Sequence, residues 1–190
     1  MTQASAQVWL LSYYRAAELR GADLLGRLLR KTDDPHLHIN LTRHFADEAR
    51  HAWLWTRRIQ ELGAAPLPVV DGYQRRLRQY VGLPSSVLEL LALTHVAEER
   101  VQQRYREHAA RPGEDPRTVA VLQIITADEE WHLAWIETWL AGQAREYGSG
   151  QIVALLDRYR ALEAKAYAEL ASEEERFGIT LRSSSERPRP

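Results

Sequence analysis

Cysteine is missing altogether from the 190 residues. Its absence excludes disulfides, thiolate nucleophiles, cysteine zinc sites and iron–sulfur clusters, so any metal here must be held by oxygen and nitrogen. Charge of one sign is lacking too. Twenty-five basic residues against 26 acidic ones leave a formal net charge of −1, which gives no overall attraction to nucleic acid or an anionic membrane. Arg57-Arg58 and Arg75-Arg76 are mixed with acids and form no basic stripe. Uninterrupted apolar runs never approach the roughly 18 residues of a membrane span. The opening Met-Thr-Gln-Ala-Ser-Ala-Gln has neither a basic n-region nor an apolar h-region, so a cytoplasmic location is the expectation. A phosphate-binding glycine loop and an H-E-x-x-H zinc signature are also absent.

What is present is helical. Hydrophobic residues make up 45% of the chain, enough for one continuous core, and a single domain over residues 1–178 is expected. Pro and Gly punctuate the chain into five long segments with helical periodicity, at about 4–31, 35–62, from after the Ser85-Ser86 cap to near 111, 116–142 and 150–177. The connection 63–84 carries Pro66, Pro68, Gly72, Gly82 and Pro84, with a short helix predicted around Tyr73–Tyr80. Two helical hairpins joined by one long crossover make an all-α, up-down-down-up four-helix bundle. The extra C-terminal helix would pack outside it through Ile152, Leu155, Leu156, Tyr159, Leu162 and Leu170. The polar tail 179–190 is expected to be disordered.

Two of these segments carry the same motif. Ala46-Asp47-Glu48-Ala49-Arg50-His51 and Ala127-Asp128-Glu129-Glu130-Trp131-His132 both read A-D-E-x-x-H. A Glu and a His three apart share one helix face and can reach one ion. With seven His and eighteen Glu in the chain, roughly 0.7 E-x-x-H matches would arise by accident. Two matches, each preceded by Ala-Asp and each in mid-helix, carry far more weight than one.

Each motif has a glutamate about thirty residues before it, Glu18 for the first and Glu98 for the second. Positions one and two turns either side define the inward seam of each helix. The seams are Leu11, Tyr14, Glu18, Gly21, Leu25; Leu41, His44, Glu48, His51, Trp55; Leu91, Thr94, Glu98, Val101, Tyr105; and Leu122, Ile125, Glu129, His132, Ile136. Counted from Glu99 instead, the third helix would present Ala92, His95, Gln102 and Arg106, a polar stripe, so Glu98 is the expected ligand. Four buried carboxylates need compensating charge. Two divalent cations held by Glu18, Glu48, His51, Glu98, Glu129 and His132 supply it. Each Asp is expected to orient the histidine of the opposite hairpin, Asp47 with His132 and Asp128 with His51.

One Glu on each of two helices and E-x-x-H on each of the other two resembles the di-iron carboxylate pattern of the ferritin-like superfamily, which includes bacterioferritin, rubrerythrin and several di-iron oxygenases. The resemblance covers about residues 8–142 and rests on the six ligands. It implies two iron ions, with manganese or a mixed pair compatible with the same donors, and activation of dioxygen or peroxide. The departures narrow it. A rubredoxin module is impossible without cysteine, and with Met1 the only methionine haem binding of the bacterioferritin kind is not expected. What remains resembles an oxidoreductase acting on a small organic substrate with an electron donor. The alternative is ferroxidase, iron-storage or peroxide-removing activity without an organic substrate.

Other residues are weighed against simple packing. His44 is expected to hydrogen-bond to the centre, Tyr14 and Tyr105 either to bond to the site or to be core, with Tyr14 the one placed beside the centre, and Thr94 to relay a proton or bond its own backbone. Gly21 would either open a pocket beside the metals or allow close helix packing. His36, His38 and His108 read as surface residues, and His95 as a bystander. Trp55 should wall the cavity. Trp131 points away from the ligands and needs a cover, either the C-terminal helix or a second subunit in a homodimer.

Overall fold

A computed structural model describes residues 3–70 and 72–176, with side-chain surroundings for 5–70 and 72–170; the tail 179–190 lies outside the described residues. The helices are α1 (Gln3–Leu29), α2 (Pro35–Glu61), α3 (Tyr73–Val81), α4 (Val87–Ala109), α5 (Pro116–Gly142), α6 (Ala144–Tyr147) and α7 (Ser149–Arg176). Local chemistry sets their ends. Asp34 and Asp115 each cap a helix whose first residue is proline, accepting from the backbone N–H groups of His36 and Leu37 in α2 and of Arg117 and Thr118 in α5. Ser86 caps α4 by accepting from the Glu89 N–H, while the Glu89 carboxylate accepts from the Ser85 N–H. Gly82 stops α3 at φ 79°, a conformation that a side chain would oppose. The four-residue α6, which the sequence pattern does not reveal, ends in the same way at Gly148.

The long helices run up-down-down-up. Tyr14, in the first half of α1, meets Tyr105 and His108 near the end of α4. Arg58, near the end of α2, bonds Thr118 and Asp115 at the start of α5. To join the end of α2 to the start of α4, the crossover travels the length of α1. Ser12 Oγ accepts from the Leu67 N–H, Arg20 donates to the Val69 carbonyl, and Gln74 donates to the Ala17 carbonyl.

Two apolar clusters fill the bundle, one at each end. The first includes Leu11, Tyr14, Trp55, Tyr105 and Ile125, and the second Leu25, Leu41, Leu91, Ile136 and Tyr159. The polar seam residues lie in the layer between them. Outside the four-helix core, α7 packs on α3 and α4. Ile152, Tyr159 and Leu170 are buried as expected, whereas Leu155, Leu156 and Leu162 are half-buried. Glu163 anchors this helix. Its buried carboxylate takes Nε and Nη2 of Arg100 at 2.9 and 3.0 Å and the Tyr73 hydroxyl at 3.0 Å.

The cover expected over Trp131 is corrected. Because α7 lies on α3 and α4, it does not roof that ring. Instead the Arg43 guanidinium of α2 stacks 3.7 Å above it, and Trp135 lies alongside, which leaves Trp131 half-buried. No helix among the described residues is long and apolar enough to cross a membrane.

Candidate metal centre

Glu18, Glu48, His51, Glu98, Glu129 and His132 converge in the middle layer, each between 0% and 9% exposed. Donor atoms form two groups within which all lie inside 4.8 Å of one another. One is Glu18, Glu48, His51 and Glu129, the other His44, Glu48, Glu98 and His132. Glu48 belongs to both. Glu98 is in the interior as the seam placed it, while Glu99 points outward to Arg160 at 2.8 and 3.0 Å and to His95 at 3.3 Å. His95 takes no part in either group.

Both motif histidines turn Nδ1 inward and Nε2 to an aspartate. His51 Nδ1 is 3.6 Å from Glu18 and 3.5 Å from Glu129, and its Nε2 bonds Asp128 at 3.1 Å. His132 Nδ1 is 2.8 Å from Glu129, and its Nε2 faces Asp47 at 3.6 Å, too long for a hydrogen bond. Each Asp thus faces the histidine of the opposite hairpin, with one pair bonded and the other only near. Arg50 spans the two, donating to both Asp47 and Asp128.

His44 and His108 take places different from those expected. His44 is a full member of one donor group. It is wholly buried, 3.2 Å from Glu98 and 3.6 Å from Glu48, with its ring stacked on His132 at 3.6 Å between centroids. Its seam position put it on this face, but one turn of spacing does not separate a ligand from a neighbour. The Tyr14 hydroxyl meets His108 Nδ1 at 3.2 Å. Of the two readings of Tyr105, the bond to the site is the one seen: it donates its hydroxyl to Glu18. Both tyrosines sit on seams, and only the reach of each hydroxyl distinguishes them. His108 is buried rather than exposed, because α4 carries it inward beneath Tyr14 and Glu114 accepts at 3.0 Å. His36 is exposed and His38 half-buried. Thr94 bonds the Leu90 carbonyl of its own helix.

The electrostatics record how crowded the layer is. Burial and the Glu18 and Glu98 carboxylates push Glu48 up to about 8. Burial together with Glu98, Glu48 and Glu18 holds Glu129 well above the usual carboxylate range. At His44 burial opposes the charged ring, but the nearby Glu48 and Glu98 carboxylates outweigh it and raise the group to about 9. His51 likewise rises to about 9, burial being overcome by Glu18, Glu48 and Asp128. Burial and the positive His44 and His51 push His132 far below the ordinary imidazole value. Protons thus take the place that cations would fill. Several inward atoms, Glu48 Oε1, Glu129 Oε1 and His51 Nδ1, are buried without a hydrogen-bond partner, an arrangement proteins rarely leave uncompensated. Oxygen and imidazole donors converging on two points fit a pair of divalent cations.

Gly21 decides how close α1 comes. A Cβ there would stand 2.0 Å from Glu48 Oε2, so the carboxylate occupies the space of the missing side chain. Beside it a cavity of about 350 Å³ opens between α1, α3 and α4, with Glu18, Glu48 and Glu98 in its lining. Both readings of Gly21 therefore hold. Trp55 is fully buried next to Tyr14 and Tyr105 instead, outside that lining.

Residues 26–145 match the family model of the ferritin-like domain. The chain belongs to this family. No curated protein and no solved structure matches it. The ferritin-like match includes five of the six expected ligands, and Glu18 precedes it, contributed by the middle of α1.

Proposed function

We propose that this ferritin-like protein is a di-metal oxidoreductase, with iron as the resident pair, that uses dioxygen or peroxide on a small organic substrate. The observation that carries the proposal is the pair of buried donor groups sharing Glu48. Glu18, His51 and Glu129 would complete one position, and Glu98, His132 and His44 the other. A bound iron pair supplies the electron transfers to oxygen that side chains do not perform.

The chain's own groups do the rest. Asp128 holds the His51 ring with Nδ1 inward, and Arg50 keeps Asp128 and Asp47 in place. Tyr105 fixes Glu18 through its hydroxyl. The apolar clusters on either side keep bulk water from the layer. The same donors suit manganese, alone or mixed with iron.

An organic substrate is favoured over storage or peroxide removal alone by the cavity reaching Glu18, Glu48 and Glu98, since a site serving only small oxidants needs no such volume. Metal analysis of protein purified with iron available tests the centre. About two equivalents per chain are expected, falling below half an equivalent in Glu129→Ala. Less than half an equivalent in the parent, unchanged by that substitution, would refute it. A native mass showing a closed multisubunit shell would favour iron storage instead.

A further inference from the structure

We infer that the cavity between α1, α3 and α4 binds an amphipathic organic acid, hydrocarbon end towards Glu48 and acid group at Arg20 and Arg78. That the buried end is the reacting end rests on the di-metal reading; the binding itself does not.

The cavity has three zones. Its floor is the carboxylates of Glu18, Glu48 and Glu98, and its walls are apolar, formed by Leu77, Leu90, Leu93, Ala97 and Val101. Its outer lining holds three arginines and a single acid, Asp23. Arg27 is paired with Asp23 at 2.8 Å, so those two charges cancel. Arg20 and Arg78 are left. Arg20 spends Nη2 on the Val69 carbonyl, while Nη1 is buried with no hydrogen-bond partner. That nitrogen lies where Gly72 has no side chain, 2.0 Å from the position of a Cβ. Arg78 is exposed and has no ion pair among the described residues.

Neither Arg20 nor Arg78 has a carboxylate partner among the described residues, and a guest's carboxylate would meet them with charge-assisted bonds. A neutral guest would leave the two charges unpaired, and a cationic guest would be repelled by both arginines. The other end does not attract the acid group: bare, its three carboxylates repel it, and with two cations bound their charge is already matched by four glutamates. An apolar body between apolar walls completes the match. At about 30 Å³ per water-sized group, 350 Å³ holds on the order of twelve non-hydrogen atoms.

Sodium decanoate, with decylamine and 1-decanol as matched probes, tests this by titration calorimetry on the full chain purified with iron. One equivalent of decanoate should bind at least tenfold more tightly than either partner probe. Arg20→Gln with Arg78→Gln should remove that preference while metal content stays at the parent level. In protein loaded with Mn²⁺, the terminal methyl protons of bound decanoate should relax faster than the C2 protons. Equal binding of the three probes, no binding of decanoate, or a preference that survives loss of both arginines would overturn the inference, and faster relaxation at C2 would overturn the orientation. Decanoate binding to protein that retains no metal would uphold the acid site and count against the di-metal reading alone.

Discussion

At position 21 the absence of a side chain separates stability from chemistry. Gly21 lies inside α1, where a glycine costs about 0.5–1 kcal/mol relative to alanine. The atom in the way of a Cβ is the end of a flexible carboxylate, so the fold can admit a methyl group by moving Glu48. Gly21→Ala should therefore keep or raise the melting temperature of metal-free protein. It should also weaken metal binding tenfold or more, because Glu48 serves both donor groups. Thermal denaturation with and without a chelator, beside a metal titration, checks both halves. A variant that loses stability but keeps full affinity would show that packing alone fixes this residue.

Among the elements, α7 depends on polar anchors as much as on its apolar face. Arg100 is mostly buried and its principal partner is Glu163, itself 3% exposed. Glu163→Ala would leave that guanidinium without its carboxylate, and the Tyr73 hydroxyl without an acceptor. A loss of about 3 kcal/mol is expected in chemical denaturation. A loss below 1 kcal/mol would mean that α7 is held by Tyr159, Tyr167 and Leu170 instead. The elements themselves were largely legible in the sequence, because proline, glycine and capping acids punctuate it: α5 begins and ends at the residues expected, and α1, α2, α4 and α7 differ by one or two. The seams were legible for the same reason, since every seam residue except Gly21 and Val101 is buried. What periodicity could not supply is whatever depends on length of reach or on irregular chain. His44 and Tyr105 needed atomic distances, α6 is too short to show a period, and the cavity wall comes from a crossover packed without a repeat.

For the molecule as a whole, the middle layer makes metal binding and pH one equilibrium. In metal-free protein His44 and His51 are raised from 6.5 to about 9 and Glu48 from 4.5 to about 8. The folded state therefore binds more protons than the unfolded chain, and stability from these groups is lost as pH climbs towards 9. His108, lowered to about 4 by burial, acts in the opposite sense only below 6.5. Cations must displace the extra protons, so affinity should rise between pH 6.5 and 9 and binding should release protons. The gap in melting temperature between loaded and metal-free protein should widen across that window. Calorimetry in buffers of different ionisation enthalpy would count the protons. An affinity flat with pH would contradict the protonation pattern.

The sharing of donors between hairpins has a mechanical side. Neither α1–α2 nor α4–α5 closes a donor group by itself, since each group draws on both. With ions in place, residues as far apart as Glu18 and His132 are tied by bonds stronger than packing. A chain with no cysteine thereby acquires a cross-link at its centre. Unlike a disulfide, this fastening is not cleaved by thiol exchange and yields to a chelator or a drop in pH, letting the hairpins part with no bond of the chain itself being broken.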